Sequence, residues 1–269
     1  MTTLYHKVET SAKNTLLLAL YKYRIINYMR KKKRIAVFDI DGTVFRSSLL
    51  RELLEALITF GIFPYRAQEY YVHAYVRWLD REGSYHVYQQ AVIKAYQRYI
   101  KGINQNMIRD TSNHVMNFHR YRLYHHTKNM VRNLKRKGYY IIAISGSPQD
   151  IVEPFAKNLG FNKVFGRVFA VDKNNRFTGK IYNQKEIGSK DAILKRLLLS
   201  DKSLTLQGSI GVGDTDLDIP FLKMLEHPIA FNPNKELYLY AKKNKWGIII
   251  ERKDLIFQSK AKYLSLLSK

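Results

Sequence analysis

Two carboxylates, Asp39 and Asp41, stand one residue apart at the end of the apolar run Arg34-Ile35-Ala36-Val37-Phe38, and Gly42 and Thr43 follow at once. Acids this close repel each other unless something relieves them. A divalent cation with oxygen ligands does so, as does a proton held by one acid, which then suits general acid work. The plainer alternative is a strand-end turn, where Asp and Gly are common. A second acidic group, Gly213-Asp214-Thr215-Asp216-Leu217-Asp218, closes the run that begins at Leu204. Its four-residue spacing sets Asp214 and Asp218 on one side of a starting helix.

Two further stretches carry groups for an anion. Ser145-Gly146-Ser147-Pro148 separates the apolar run Tyr139 to Ile144 from a helical stretch, Gln149 to Leu159. Hydroxyls, free backbone N–H groups and a helix dipole converge in such a place. A helix N-cap with Pro in the first turn uses the same donors. Lys190 opens an amphipathic stretch, Asp191 to Leu199, after Gly188 and Ser189. Cations are disfavoured at a helix start, so Lys190 is a candidate for holding an anion or a carboxylate.

The elements that must position these groups are strands alternating with helices. Residues 34–38, 139–144, 204–212, 227–231 and 246–250 read as buried strands, short and rich in β-branched residues. Val164 to Val171 and Arg176 to Ile181 flank Asp172-Lys173-Asn174-Asn175 as a hairpin. Between the first two strands the pattern is helical throughout: 49–60, 67–79, 85–101 and 105–119, with breaks at Gly61, Pro64, Gly83 and Gly102. In an open α/β sheet, ligands bind beyond the carboxyl ends of the strands, which is where the acids fall.

Bulk composition narrows the classes. Hydrophobic residues are 46% and charged residues 25%, the balance of a soluble globular chain. With no Cys, disulfides, thiolate metal sites and Cys nucleophiles are excluded, in keeping with a reducing cytosol. Lys plus Arg total 46 against 22 acids, a net charge of +24. Such a field favours nucleic acid, anionic lipid surfaces or anionic substrates without choosing among them. No stretch reaches the roughly 18–20 uncharged apolar residues of a membrane span, and the first residues lack a signal peptide's order. The first 33 residues read as an amphipathic helix ending in Arg30-Lys31-Lys32-Lys33. It would lie on an anionic membrane or pack on its own domain.

Taken together, Asp-x-Asp-Gly-Thr, Ser-Gly-Ser, Lys and Gly-Asp-x-x-x-Asp, in that order, resemble the motifs of the haloacid dehalogenase superfamily of phosphotransferases. The resemblance implies a Rossmann-like α/β fold, a parallel sheet flanked by helices, with an inserted α-helical cap of the phosphoserine-phosphatase-like branch. The strings Ser145 to Pro148, Phe177-Thr178-Gly179-Lys180 and Phe231-Asn232-Pro233 are similar to a bacterial subgroup with phosphatidylglycerophosphatase-like members. By that resemblance Asp39 is the nucleophile and forms an aspartyl-phosphate, and Asp41 is the acid and then the base. Mg²⁺ would be held by the Asp39 carboxylate, the Asp41 main-chain carbonyl and Asp214, with Asp218 orienting them from behind. Ser145, Gly146 and Lys190 would hold phosphoryl oxygens, and Thr43 would hydrogen-bond near Asp41.

The same resemblance implies a core over 34–46 and 122–251 and a helical cap over 47–121; the residues themselves read as a basic helix over 1–33 and a basic, Leu-spaced C-terminal tail over 252–269, a terminal helix. The expected substrate is a small anionic phosphorylated metabolite or lipid head group, handled in the cytoplasm with peripheral contact to the inner membrane face as an option. A nucleic-acid- or membrane-binding protein with a vestigial site is the alternative; oligomeric state is not legible. Phosphoserine phosphatases place a Glu nine residues after the nucleophile to meet the substrate ammonium. Ser48 stands there, with Arg46, Arg51 and Arg66 nearby, so a more anionic substrate than phosphoserine is expected.

Overall fold

The computed structural model describes residues 32–182 and 189–259. The basic helix expected over the first 33 residues, Gly188 and the last ten residues lie outside them, save Lys32 and Lys33. Seven strands form one sheet in the order β3-β2-β1-β6-β7-β8-β9. They are β1 (Lys33–Phe38), β2 (Tyr140–Pro148), β3 (Lys163–Arg167), β6 (Leu204–Gly213), β7 (His227–Phe231), β8 (Gly247–Arg252) and β9 (Leu255–Gln258). Every pairing is parallel except β8 with β9.

At its centre the sheet is buried on both faces, as parallel sheets are. Alternation along β1 shows it. Ala36 and Phe38 join one apolar cluster, Ile35 and Val37 the other. Ile141 and Ala143 of β2 follow the first pair, Ile142 and Ile144 the second. From β1 the chain moves outward through β2 and β3, then returns to the other side of β1 with β6, β7 and β8. The order therefore reverses between β1 and β6, and a crevice opens beyond their carboxyl ends.

Between β1 and β2 the described regular elements are all helical: α1 (Leu49–Thr59), a 3₁₀ turn (Tyr65–Tyr70), α2 (Val72–Leu79), α3 (Tyr85–Tyr99), α4 (Gln105–Phe118) and α5 (His125–Arg136). Ser48, Ser84 and Asn104 cap α1, α3 and α4, each side chain accepting a backbone N–H. Leu53, Leu54 and Leu57 of α1 are fully buried. They share a cluster with Tyr96 of α3, Ile108 of α4 and the sheet residue Phe38. The remaining helices are α6 (Gln149–Asn158), α7 (Lys190–Ser200), α8 (Ile219–Leu222) and α9 (Lys235–Lys243).

Three details differ from the sequence reading. Residues 164–171 are not one arm of a hairpin: β3 joins the main sheet, and β4 (Phe169–Val171) alone pairs with β5 (Phe177–Ile181). That hairpin is docked, with the Phe177 N–H donating to Ile103 and the Gly102 N–H to Phe177. The segment after residue 251 is not simply a tail. Residues 255–258 form β9 and cover the edge of β8, which would otherwise present unpaired backbone groups. Finally, β2 runs on through the Ser-Gly-Ser-Pro string.

Glu251 of β8 accepts the N–H groups of His125 and His126, at 2.9 Å each, and so caps α5 from a distant strand. Replacing Glu251 with Ala should lower stability by about 1 kcal/mol. Urea unfolding with an unchanged m-value checks this.

Candidate active site

Each acid sits where a strand ends at the switch point. Asp39 follows β1, and its N–H donates to the Val212 carbonyl of β6, which fixes the two strand ends side by side. Asp214 follows β6 directly. Carboxylate oxygens of Asp39, Asp214 and Asp218 all lie within 4.8 Å of one another. Two like charges at that range repel by about 3–4 kcal/mol at an effective dielectric of ~20. Asp39 and Asp218 are buried as well.

Lys190, at the first position of α7, bridges this group. Its Nζ donates to Asp39 Oδ1 at 2.6 Å and to Asp218 Oδ1 at 2.5 Å. Burial acts to lower the Lys190 pKa, but Asp218 and Asp39 outweigh it and hold the ammonium charged. Burial pushes the Asp39 carboxyl up to about 7 against the pull of Lys190, with Asp218 and Asp41 adding to the rise. Asp214 is raised well above the usual carboxylate range, by desolvation first and then by Asp39 and Asp218. One ammonium among three acids leaves an excess of negative charge.

Asp218 does not share a helix face with Asp214. It closes a 3₁₀ turn (Asp216–Asp218), and its Oδ2 accepts the N–H groups of Asp214 and Thr215 at 3.0 and 3.1 Å. Its other oxygen meets Lys190, so it ties the acidic loop to the ammonium. Thr43 also differs from expectation: its Oγ1 donates to Asp214 Oδ1 at 3.2 Å, not to Asp41. Gly42 has φ +77°, and a Cβ there would stand 2.1 Å from Asp214 Oδ2. The position just after Asp41 must therefore be glycine for Asp214 to approach.

The Asp41 carboxylate belongs to a separate cluster. Oδ1 accepts the Leu49 N–H, in the first turn of α1, at 2.5 Å. Oδ2 accepts the hydroxyls of Ser145 and Ser147 at 2.6 and 2.7 Å. Burial raises its pKa, and the three donors only partly offset this. A raised carboxyl among rotatable hydroxyls is suited to hold and release a proton. The Ser145 hydroxyl is thus engaged by Asp41, while Gly146 beside it is exposed. Ser147 was not singled out from the sequence, although the repeated Ser in Ser-Gly-Ser carried the signal. Nothing in the sequence marked Glu52, buried in the first turn of α1 and held by Ser47, Arg122 and His119.

The three clustered acids suit a divalent metal: hard oxygen donors, net negative charge, and a backbone cradle too tight for a side chain. Asp39 and Asp214 would hold it, and Asp218 keeps Asp214 in place.

Comparison with known proteins bears on the same residues. A family model described as haloacid dehalogenase-like hydrolase matches residues 36–223. A histidinol-phosphatase from Neisseria meningitidis serogroup C is 23% identical over 230 residues, which cover 81% of this chain and 98% of that protein. A Bordetella pertussis protein described as of unknown function superposes with a TM-score of 0.66 at 19% identity, over 82% of this chain and 99% of its own. A phosphoserine phosphatase structure, described as a phospho-aspartyl intermediate analogue, superposes with a TM-score of 0.55 at 21% identity, over 83% and 96%. These structural likenesses concern the fold.

Replacing Lys190 with Met should destabilise the protein by about 3 kcal/mol at neutral pH, the scale of breaking a buried pair. Asp39, whose carboxyl pKa burial already raises, would then relax by taking up a proton. Carboxyls whose folded pKa is raised bind protons more tightly folded than unfolded, so the loss should shrink as pH falls from 8 to 5. Denaturant melts at the two pH values measure it.

Proposed function

The chain belongs to the haloacid dehalogenase-like hydrolases, and from that premise we propose that it is a Mg²⁺-dependent phosphomonoester hydrolase working through an aspartyl-phosphate. The observation that carries this reading is the convergence of Asp39, Asp214 and Asp218 within 4.8 Å, bridged by a single ammonium. Three buried or half-buried acids at one strand junction cost stability, and catalysis is the gain that offsets it.

An Asp39 oxygen attacks the phosphorus, forming one P–O bond as the bond to the alcohol oxygen breaks. Asp41 delivers its proton to that departing oxygen, and Ser145 and Ser147 hold its carboxyl in place. In the second half Asp41 takes a proton from water, which attacks the phosphorus and frees Asp39. Lys190 keeps Asp39 oriented and offsets charge that builds on the phosphoryl oxygens. The bound metal would lower the repulsion between the Asp39 carboxylate and the phosphate dianion. Splitting the reaction this way matters because the uncatalysed hydrolysis is among the slowest known, with accelerations approaching ~10²¹-fold.

The name of the Neisseria relative, a phosphatase covered over 98% of its length, supports the reaction class, and the low identity leaves the substrate to local chemistry. The high net positive charge suits attraction of an anionic substrate. We extend the same reading to the layout, with residues 47–121 as a cap over a core of 34–46 and 122–251.

Replacing Asp39 with Asn should cut aryl phosphate turnover by about a thousandfold or more while leaving the fold intact; activity within tenfold of wild type removes Asp39 as nucleophile. Mg²⁺ at about a hundred times its Kd should stabilise the wild type by about 2.7 kcal/mol in a thermal melt. Replacing Asp214 with Asn should abolish that shift.

A further inference from the structure

One cavity borders the proton donor. It lies between α1, α3 and the end of β2, with Asp41 and Ser147 on one side and Arg51, Tyr85, Tyr88 and Gln89 on the other. Its free volume is about 30 Å³, room for little more than one water. On the reading above, an alcohol that takes its proton from Asp41 would enter this space.

Of the three arginines near the insertion's start, Arg51 alone lines the cavity. Arg46 instead lies over the Tyr124 ring at 5.8 Å. Arg51 is only loosely held, lying over the Tyr75 ring at 5.6 Å and sharing Glu52 with closer partners. Glu52 Oε1 accepts from Ser47 at 2.7 Å and Arg122 at 3.0 Å, and Oε2 meets His119 at 3.0 Å. The Arg51 contact to Oε1 is longer, 3.4 Å. Glu55, one turn along α1, accepts from Tyr71 at 2.7 Å and is not part of the cavity wall.

Tyr88 supplies a second pointer. Its hydroxyl is buried and has no hydrogen-bond partner among the described residues. A buried donor left unmade is costly, so one in the wall of a cavity calls for a partner that the cavity can admit. The ring cannot swing away easily, because it stacks on Trp78 with centroids 5.5 Å apart and is flanked by Tyr75 and Tyr85.

We propose that Arg51 and Tyr88 form the subsite for the leaving group and select phosphomonoesters whose leaving group ends in a second anion, a carboxylate or another phosphate. The proposal rests on the phosphatase reading above. A guanidinium with open donors and a neutral hydroxyl both serve an anionic oxygen. An ammonium finds no free carboxylate there, since Asp41 is occupied by three donors and Glu52 by its own partners. The absence of an acid at Ser48 agrees: Ser48 instead caps α1.

The test is a panel of small phosphomonoesters on the full chain with Mg²⁺: phosphoglycolate, a propanediol bisphosphate, glycerol phosphate, phosphoserine and phosphoethanolamine. kcat/KM for an anion-tipped substrate should exceed that for phosphoethanolamine by about tenfold or more, with phosphoserine well below the best. Comparing phosphoglycolate with the bisphosphate tells which anion fits. Arg51→Gln should collapse the ratio and Arg51→Lys should restore part of it. Tyr88→Phe should raise KM for the anion-tipped substrate without lowering the melting temperature of the ligand-free protein, whereas a purely structural hydroxyl would leave KM unmoved. Equal efficiencies in the wild type, or a ratio that survives Arg51→Gln, overturn the proposal while aryl phosphate hydrolysis leaves the phosphatase reading standing. Hydrolysis of no phosphomonoester at all overturns both.

Discussion

Negative charge crowded at one junction of strands is the constraint around which this molecule is built. Asp39, Asp214 and Asp218 cannot all be ionised beside one another in a poorly solvated place without cations. Lys190 supplies one positive charge at hydrogen-bond distance from two of them. The rest of the site follows from keeping the arrangement tolerable. Thr43 and Asp218 immobilise Asp214 and its loop, and Gly42 leaves room for it. Asp41 is drawn off into its own nest of two serines and a helix N-terminus.

Topology makes that crowding possible. β1 and β6 are neighbours in the sheet although most of the chain's helices separate them in sequence. Parallel pairing aligns their carboxyl ends, so acids that follow each strand meet without any loop reaching across. β2, on the other side of β1, brings its serines to Asp41 by the same logic. Two neighbours of a central strand thus divide the work. One gathers acids around an ammonium, and the other holds Asp41 between two hydroxyls.

What could be read from the sequence was governed by distance along the chain. The strands, the turn glycines and the positions of Asp39, Asp41, Lys190 and Asp214 were legible because each is a local pattern: an apolar run, a breaker, a charged residue at the break. The haloacid dehalogenase resemblance added their order. Partnerships were not legible. Thr43 lies 171 residues from Asp214, and no local signal distinguishes that bond from one to Asp41. Asp218 could not be assigned to a capping box instead of a helix face, since both use nearly the same spacing. The docked hairpin and β9 were missed for a related reason. Their stability comes from edges and backbone contacts supplied by remote segments, not from their own periodicity.

A single apolar cluster runs from Phe38 in the sheet through Leu53 and Leu57 of α1 to Tyr96 of α3 and Ile108 of α4. The helices inserted after β1 therefore do not own a core apart from the sheet. Grafting the corresponding helices from a relative would replace one side of a packed interior while leaving the other, and mismatched volume there costs about 1–3 kcal/mol per misfit. Descent with altered substrate range is consequently channelled toward exchanging single residues on the wall of the cavity, where the packing on either side is left undisturbed.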